Sequence, residues 1–234
     1  GEFPEVIILK GKKGSFFEKS GVQQYEDTDL TNQMRSDVLK INEWLVSMEI
    51  DAATDAISAE INTNNRKLRR YFTRGDLTFG SGGRLFGGFW LEMSKKDRGE
   101  YLRLDDEPIC TLDFVNLAPS ILYAMEGKTL PEGDAYTLPG YERYRSGVKT
   151  IFSTMTFTDE PLKRFPKGVK KEFENNHRLH WITAAIKAKH QAIFHLLNSQ
   201  IGHQIQKTES DIIIKALLTA MEEDISCLPV HDAL

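Results

Sequence analysis

Pro108-Ile109-Cys110-Thr111-Leu112-Asp113-Phe114 is the stretch that decides how this chain is read. Its apolar character predicts a short buried strand, and Pro119 to Glu126 predicts the helix that turns away from it. Asp113 then ends a strand at a turn. A second apolar run, Ile225 to Asp232, also closes on an aspartate, within Pro229-Val230-His231-Asp232-Ala233. Two carboxylates converging from neighbouring strands can hold a pair of hard cations about 3.5–4 Å apart, an arrangement that activates a hydroxyl and stabilises a leaving pyrophosphate. An isolated strand-end Asp is more often a turn or cap residue, so the metal reading rests on the pair.

Between these runs, Tyr141 to Phe157 predicts one helix with Arg145 and Lys149 one turn apart and Phe157 two turns further on. One face then offers phosphate contacts at one end and a stacking surface at the other. Upstream, Leu30, Met34, Val38, Ile41, Leu45 and Met48 form the stripe of an amphipathic helix, and Asp51 to Ile61 predicts a second. The polar cluster Asn62 to Asn65 and the basic run Arg66, Lys67, Arg69, Arg70, Arg74 read as a lobe boundary. Phe79 to Trp90, with aromatic and aliphatic residues among glycines, predicts a strand that something approaches closely. Downstream, Leu179, Ile182, Ile186, Ile193, Leu197 and Ile201 predict one long helix, and Thr208-Glu209-Ser210-Asp211 predicts a capping box opening the next.

Composition limits the class. The chain has 234 residues, 40% hydrophobic and 27% charged, which excludes wholesale disorder. Cys110 and Cys227 lie far apart in apolar runs and read as reduced core thiols, so the expected setting is reducing and cytoplasmic. No apolar stretch approaches the roughly 20 residues that cross a bilayer, and no membrane partner is expected. The formal charge of -4 argues against indiscriminate nucleic-acid binding, yet residues 161–207 carry nine Lys or Arg against Glu172 and Glu174, and five of the six histidines. That concentration predicts a focused polyanion groove. The histidines at 177, 180, 190, 195 and 203 lack a tetrahedral zinc signature and read as a polar face near phosphate, while Trp44, Trp90 and Trp181 read as core residues.

Four segments, in order, resemble the motifs of the family A DNA polymerases and of the related single-subunit phage-type RNA polymerases. Leu112-Asp113-Phe114-Val115-Asn116-Leu117 looks like the first palm motif, and Arg145-x3-Lys149-x7-Phe157 like the fingers-helix motif. Gln206-Lys207-Thr208-Glu209-Ser210-Asp211-Ile212-Ile213 is similar to the Gln-Gly-Thr-Ala-Ala-Asp-Ile-Ile helix, and Val230-His231-Asp232-Ala233 to the closing Val-His-Asp-Glu motif. Four motifs over about 120 residues are more specific than any one of them.

The resemblance implies an α+β right-hand polymerase fold, in which a small antiparallel palm sheet is backed by helices beside a helical fingers lobe. It divides the chain into a thumb-like helical lobe over 1–76, a palm over 77–127 and 203–234, and fingers with connecting helices over 128–202. It implies template-directed DNA synthesis on a primer-template from nucleoside triphosphates, without a proofreading exonuclease, as in a phage or mobile element. Asp113, the Phe114 carbonyl and Asp232 would bind two Mg²⁺ or Mn²⁺, and Arg145 would hold phosphates. Lys149 would neutralise or protonate the departing pyrophosphate, Phe157 would pack beside the nascent base pair, and Arg84, Gln206 and His231 would touch primer or template. Family A DNA polymerases usually place Glu five residues after the first Asp, blocking a ribose 2'-hydroxyl. Here Ala118 stands there, and Ala233 replaces the closing Glu, which favours an alternative RNA polymerase or primase activity. A truncated, non-catalytic polymerase-like module that only binds nucleic acid is the third reading.

Overall fold

A computed structural model describes residues 5–12, 20–53, 60–230 and 233–234. The protein is α+β, with two small sheets and six α-helices among the described residues. It divides into two units, Gly1–Phe114 with Gln206–Leu234, and Val115–Ile205. Residues 1–76, read from the sequence as a lobe of their own, contribute strands to the same sheet as residues beyond 77.

In the first unit, β1 (Ile7–Leu9) runs parallel to β3 (Leu68–Phe72), which pairs antiparallel with β4 (Gly82–Gly87). Helix α1 (Asp29–Ser47) starts at a reciprocal Thr28–Thr31 capping box. It buries Met34, Val38, Ile41 and Leu45 in a core shared with Ile7, Leu68 and Phe72. Leu30, counted in the same stripe, is exposed. Asn42 on α1 ties helix to sheet: its amide nitrogen donates to the Leu68 carbonyl at 2.9 Å and its oxygen accepts the Leu68 N–H at 2.7 Å. This pair satisfies the buried polar groups on both sides.

The predicted helix over 51–61 is not observed at its start: Ile50–Ala52 is β2, antiparallel to β5 (Leu102–Leu104), which pairs in turn with β6 (Glu107–Pro108). Residues 54–59 lie outside the described residues. The short helix α2 (Lys95–Tyr101) precedes β5. Phe79 to Trp90 does supply a strand, β4, and Gly87 on it is required. Its φ of +114° is disallowed to most side chains, and a Cβ there would strike the Lys67 carbonyl.

The second unit holds α3 (Leu117–Met125), α4 (Arg145–Phe157) and α5 (Leu179–Lys189) around a core that includes Leu122, Ile151, Phe152 and Ile182. The predicted long helix over 179–201 stops at Lys189. His190 follows it, fully buried, and Asn198 and Gln200 take left-handed φ values of 59° and 60° that an α-helix cannot contain. The helical spacing of Ile193, Leu197 and Ile201 persists, but on turns and not on a continuous helix. Trp181 is also not core: it is 52% exposed, whereas Trp90 is fully buried and donates its indole N–H to the Pro229 carbonyl at 2.9 Å.

Helix α6 (Gly202–Glu222) starts six residues before the predicted cap. Thr208 to Asp211 therefore lies inside a helix. Glu209 and Ser210 are buried against the sheet, and that packing overrides the local capping preference of the sequence.

Candidate functional site

The segment around Asp113 is open. The expected buried strand over 108–114 is limited to Glu107–Pro108 of β6, and Leu112 and Phe114 are 67% and 43% exposed. Among the described residues, no strand flanks the run over most of its length. Among the described residues, its ladder contact past β6 is an isolated antiparallel bridge, Asp113 to Ala233, with the Leu112 N–H donating to the Leu234 carbonyl at 2.7 Å and the reverse bond at 3.2 Å. Val230 and Ala233 also exchange backbone hydrogen bonds, at 2.9 and 3.0 Å. His231 and Asp232, which carry the closing motif, lie outside the described residues. The two motif segments, about 120 residues apart in sequence, are thus backbone neighbours through Asp113 and Ala233.

The Asp113 carboxylate is 65% exposed, with Lys95 Nζ 3.7 Å away. Exposed pairs at this distance add little stability, so the oxygens stay available to a hard cation. Cys110, three residues before it, is exposed, which corrects its reading as a core thiol; Cys227 is half-buried, and burial pushes its thiol up to about 11. Past Phe114 the chain belongs to the second unit. Asn116 takes the left-handed conformation (φ 56°) that turns the chain into α3, and Ala118 sits half-buried in the first turn of that helix.

Helix α4 starts at Arg145, four residues after the expected Tyr141 and behind a 3-10 turn over Glu142–Tyr144, and carries Lys149 one turn on and Phe157 at its end. Both cations lie near the ring of Tyr136: the Arg145 guanidinium carbon is 5.6 Å from its centroid and Lys149 Nζ 5.8 Å. Such placements favour the cation through the ring quadrupole. Arg145 also donates from Nε and Nη2 to Asp134 Oδ2, at 2.8 and 2.5 Å. Burial works against the Asp134 charge, but hydrogen bonds from Arg145 and from the Tyr136 and Thr137 groups hold its pKa below the ordinary carboxylate value. Asp134 in turn raises the pKa of Arg145. Phe157 is 38% exposed, with His203 edge-on at 5.3 Å and Gly202 so close that an added Cβ would come within 2.7 Å of the ring.

Tyr136 and Asp134 escaped the sequence reading because they sit in a Pro- and Gly-rich loop with no helical or strand period. Only the acid and the aromatic two residues apart marked them. The loop is fixed from outside. Lys189 Nζ donates to the Asp134 and Thr137 carbonyls at 2.6 and 2.7 Å, and His190 Nε2 lies 2.8 Å from the Ala135 carbonyl. A carbonyl only accepts, so Nε2 carries the proton and Nδ1 accepts from the Tyr123 hydroxyl at 3.3 Å.

Arg84, expected at the template-primer, points from β4 to α6, where its Nη2 is 3.0 Å from Glu209 Oε2. Gln206 sits half-buried on α6. Beside them is a cation the sequence reading placed only in a boundary run. Arg70, 3% exposed, donates to the Gly83 carbonyl at 2.9 Å, to Ser210 Oγ at 3.2 Å and to Asp211 at 2.5 Å. Ser210 also donates to the Gly83 carbonyl.

The basic stretch 161–207 does not act as one face. Lys170 and Lys189 are bound to backbone carbonyls, Lys163 pairs with Glu160 and Lys207 with Asp211, while Arg164, Lys167, Lys171, Arg178 and Lys187 are exposed. Among the described residues, Glu49, Asp51 and Asp106 also bring carboxylate oxygens within 4.8 Å of one another, all exposed, and none belongs to the motifs. No described helix is long and apolar enough to cross a membrane. In comparisons with protein-family models, curated proteins and solved structures, none matches this chain.

Proposed function

We propose that the protein is a metal-dependent, template-directed nucleotidyltransferase that extends a DNA primer from dNTPs. The observation that carries this reading is the isolated antiparallel bridge between Asp113 and Ala233, which brings the backbones of the first and the closing motif together. The Arg145–Lys149–Phe157 face of α4 supports it independently.

The exposed oxygens of Asp113 are hard donors, fitting Mg²⁺ or Mn²⁺; with Asp232 and the Phe114 carbonyl they would hold two such ions, whose charge would favour a primer 3'-alkoxide and a leaving pyrophosphate. In the reaction, the primer 3'-hydroxyl gives its proton to water, its oxygen bonds to the α-phosphorus of the dNTP, and the bond from that phosphorus to the α,β-bridging oxygen breaks to release pyrophosphate. Arg145 holds the phosphates, Lys149 neutralises the pyrophosphate or gives it a proton, and Phe157 packs beside the new base pair. Gln206 and His231 orient the primer end. Arg84 would contact the template-primer backbone, for which its guanidinium has to share or leave its pairing with Glu209.

A second reading is synthesis from rNTPs. It is favoured by Ala118, whose methyl offers no carboxylate to exclude a ribose 2'-hydroxyl. A labelled primer-template incubated with Mg²⁺ and separate dNTP and rNTP pools decides between them. Extension from dNTPs that is lost by 10³-fold or more, on the order of magnitude expected when a catalytic metal ligand is removed, in Asp113→Ala and Asp232→Ala is the expected outcome. Extension from rNTPs alone moves the assignment to RNA synthesis. Primer-template binding without extension from either pool leaves a polymerase-like binding module and overturns the enzymatic reading.

A further inference from the structure

The phosphate-binding role given to Arg145 and Lys149 leaves open what aims them. We infer that Asp134 is a positioning residue for a polyphosphate clamp built from Arg145 and Lys149 over the Tyr136 ring. The inference rests on the phosphate role of those two cations in the proposed function and adds the residue that sets their geometry. Every group it uses lies in the second unit.

Asp134 divides its carboxylate between two tasks. Oδ1 accepts the Tyr136 and Thr137 N–H groups at 2.8 and 2.9 Å and the Thr137 hydroxyl at 3.2 Å, which fixes the turn. Among the described residues, Oδ2 accepts from Arg145 alone, through Nε and Nη2. This grips one edge of the planar guanidinium while its face lies near Tyr136, and Nη1 on the opposite edge takes no part in the grip. A planar cation held at one edge and one face has its remaining donors aimed, so it loses less freedom when an anion binds. Lys149, one turn along, has no carboxylate within ion-pair distance among the described residues. The two cations therefore differ: one is held at an edge and a face, the other only over the ring. A chain of linked phosphates suits that pair, with the guanidinium binding two oxygens of one phosphate and the ammonium following the next.

The support beneath Asp134 argues for a built arrangement over a chance surface pair. Lys189 holds the carbonyls on both sides of the turn, and the buried His190 holds the one between them. These contacts fix an anchor for a side chain, Arg145, that is itself 45% exposed. Surface arginines ordinarily sample many rotamers.

The test is binding of inorganic tripolyphosphate to the full chain by calorimetry, followed for wild type, Asp134→Asn, Arg145→Ala and the double variant. Asn retains an oxygen for the turn but presents an NH₂ to Arg145, so the fold is kept and the grip is lost. Circular dichroism melting checks that the turn survives. The expected result is affinity weakened about tenfold by Asp134→Asn, in the range that loss of an orienting partner costs a ligating group. The same substitution in the Arg145→Ala background should change affinity by less than about twofold, because Asp134 acts only through Arg145. Unchanged or tighter binding by Asp134→Asn makes Asp134 a bystander or a competing anion and overturns the inference, as does an equal loss in both backgrounds. The polymerase reading is judged separately: tripolyphosphate binding with this coupling but no primer extension upholds the clamp and rejects the reading, whereas extension by a chain that binds no tripolyphosphate does the reverse.

Discussion

His190 is fully buried, and burial is the main cause holding its pKa below the usual 6.5; the Ala135 hydrogen bond works the other way and Lys189 adds to the depression. Below pH 6.5 the unfolded chain takes up a proton that the folded imidazole resists. The unfolded state then binds more protons, so stability falls as pH falls through this window until the folded pKa is reached. Asp134 also has a depressed pKa, but its contribution is present above the ordinary carboxylate value of 3.8 and is lost only as pH falls through the lower folded value. The two windows are therefore separable. The wild-type melting temperature should decline between pH 7.5 and 5.5, and His190→Gln should flatten that decline. At pH 7.5 the variant should be less stable by about 1–3 kcal/mol, because the Ala135 carbonyl or the Tyr123 hydroxyl loses its partner. An equally steep decline in His190→Gln would assign the pH dependence to other groups.

At the scale of elements, α6 shows where local sequence signals were overruled. Thr208-Glu209-Ser210-Asp211 has the spacing of a helix start, yet Arg70 from β3 and Arg84 from β4 reach these residues, which lie within a continuous helix. The three ion pairs on this face should differ in worth. Arg70→Met removes a buried guanidinium that serves Gly83, Ser210 and Asp211, and should cost about 2–3 kcal/mol in urea unfolding. Lys207→Ala breaks only a solvent-reached pair with Asp211 one turn away and should cost under about 0.5 kcal/mol. Comparable losses from both would remove the burial argument. The same contrast explains what could be read beforehand. Helices α1, α3 and α4 were legible because each presents a strong apolar period, and so were Arg145, Lys149 and Phe157 on α4. The 179–201 segment kept its period while its backbone turned at Asn198 and Gln200, and periodicity reports side-chain facing without reporting φ. Arg70 was legible only as part of a basic run, although its place between Leu68 and Phe72 on a strand puts it on the inward face. The Asp134–Tyr136 loop had no period at all, and its meaning arises from Arg145, Lys189 and His190, which are 9 to 56 residues away in sequence.

For the molecule as a whole, the -4 net charge and the basic stretch at 161–207 pull in opposite directions, and the structure separates the exposed cations of that stretch from those bound to its own backbone. Arg164, Lys167, Lys171, Arg178 and Lys187 are exposed, whereas Lys170 and Lys189 hold backbone carbonyls. A cation that contacts a nucleic-acid phosphate releases a counterion, so each lost contact lowers the salt slope of binding by up to about 0.9 on duplex and about 0.7 on single strands. A cation bound to carbonyls holds the fold and releases none. Primer-template binding measured from low to moderate salt should therefore give a negative log–log slope that becomes shallower in Arg164→Gln/Lys167→Gln/Lys171→Gln, by roughly 1.4–2.7 if two or three of the contacts are made on duplex or single strand. Lys170→Gln should lower the melting temperature and leave the slope unchanged, since its ammonium serves the Glu174 and His177 carbonyls. A slope altered by Lys170→Gln but not by the triple substitution would place the polyanion against a different surface from the exposed cations named here.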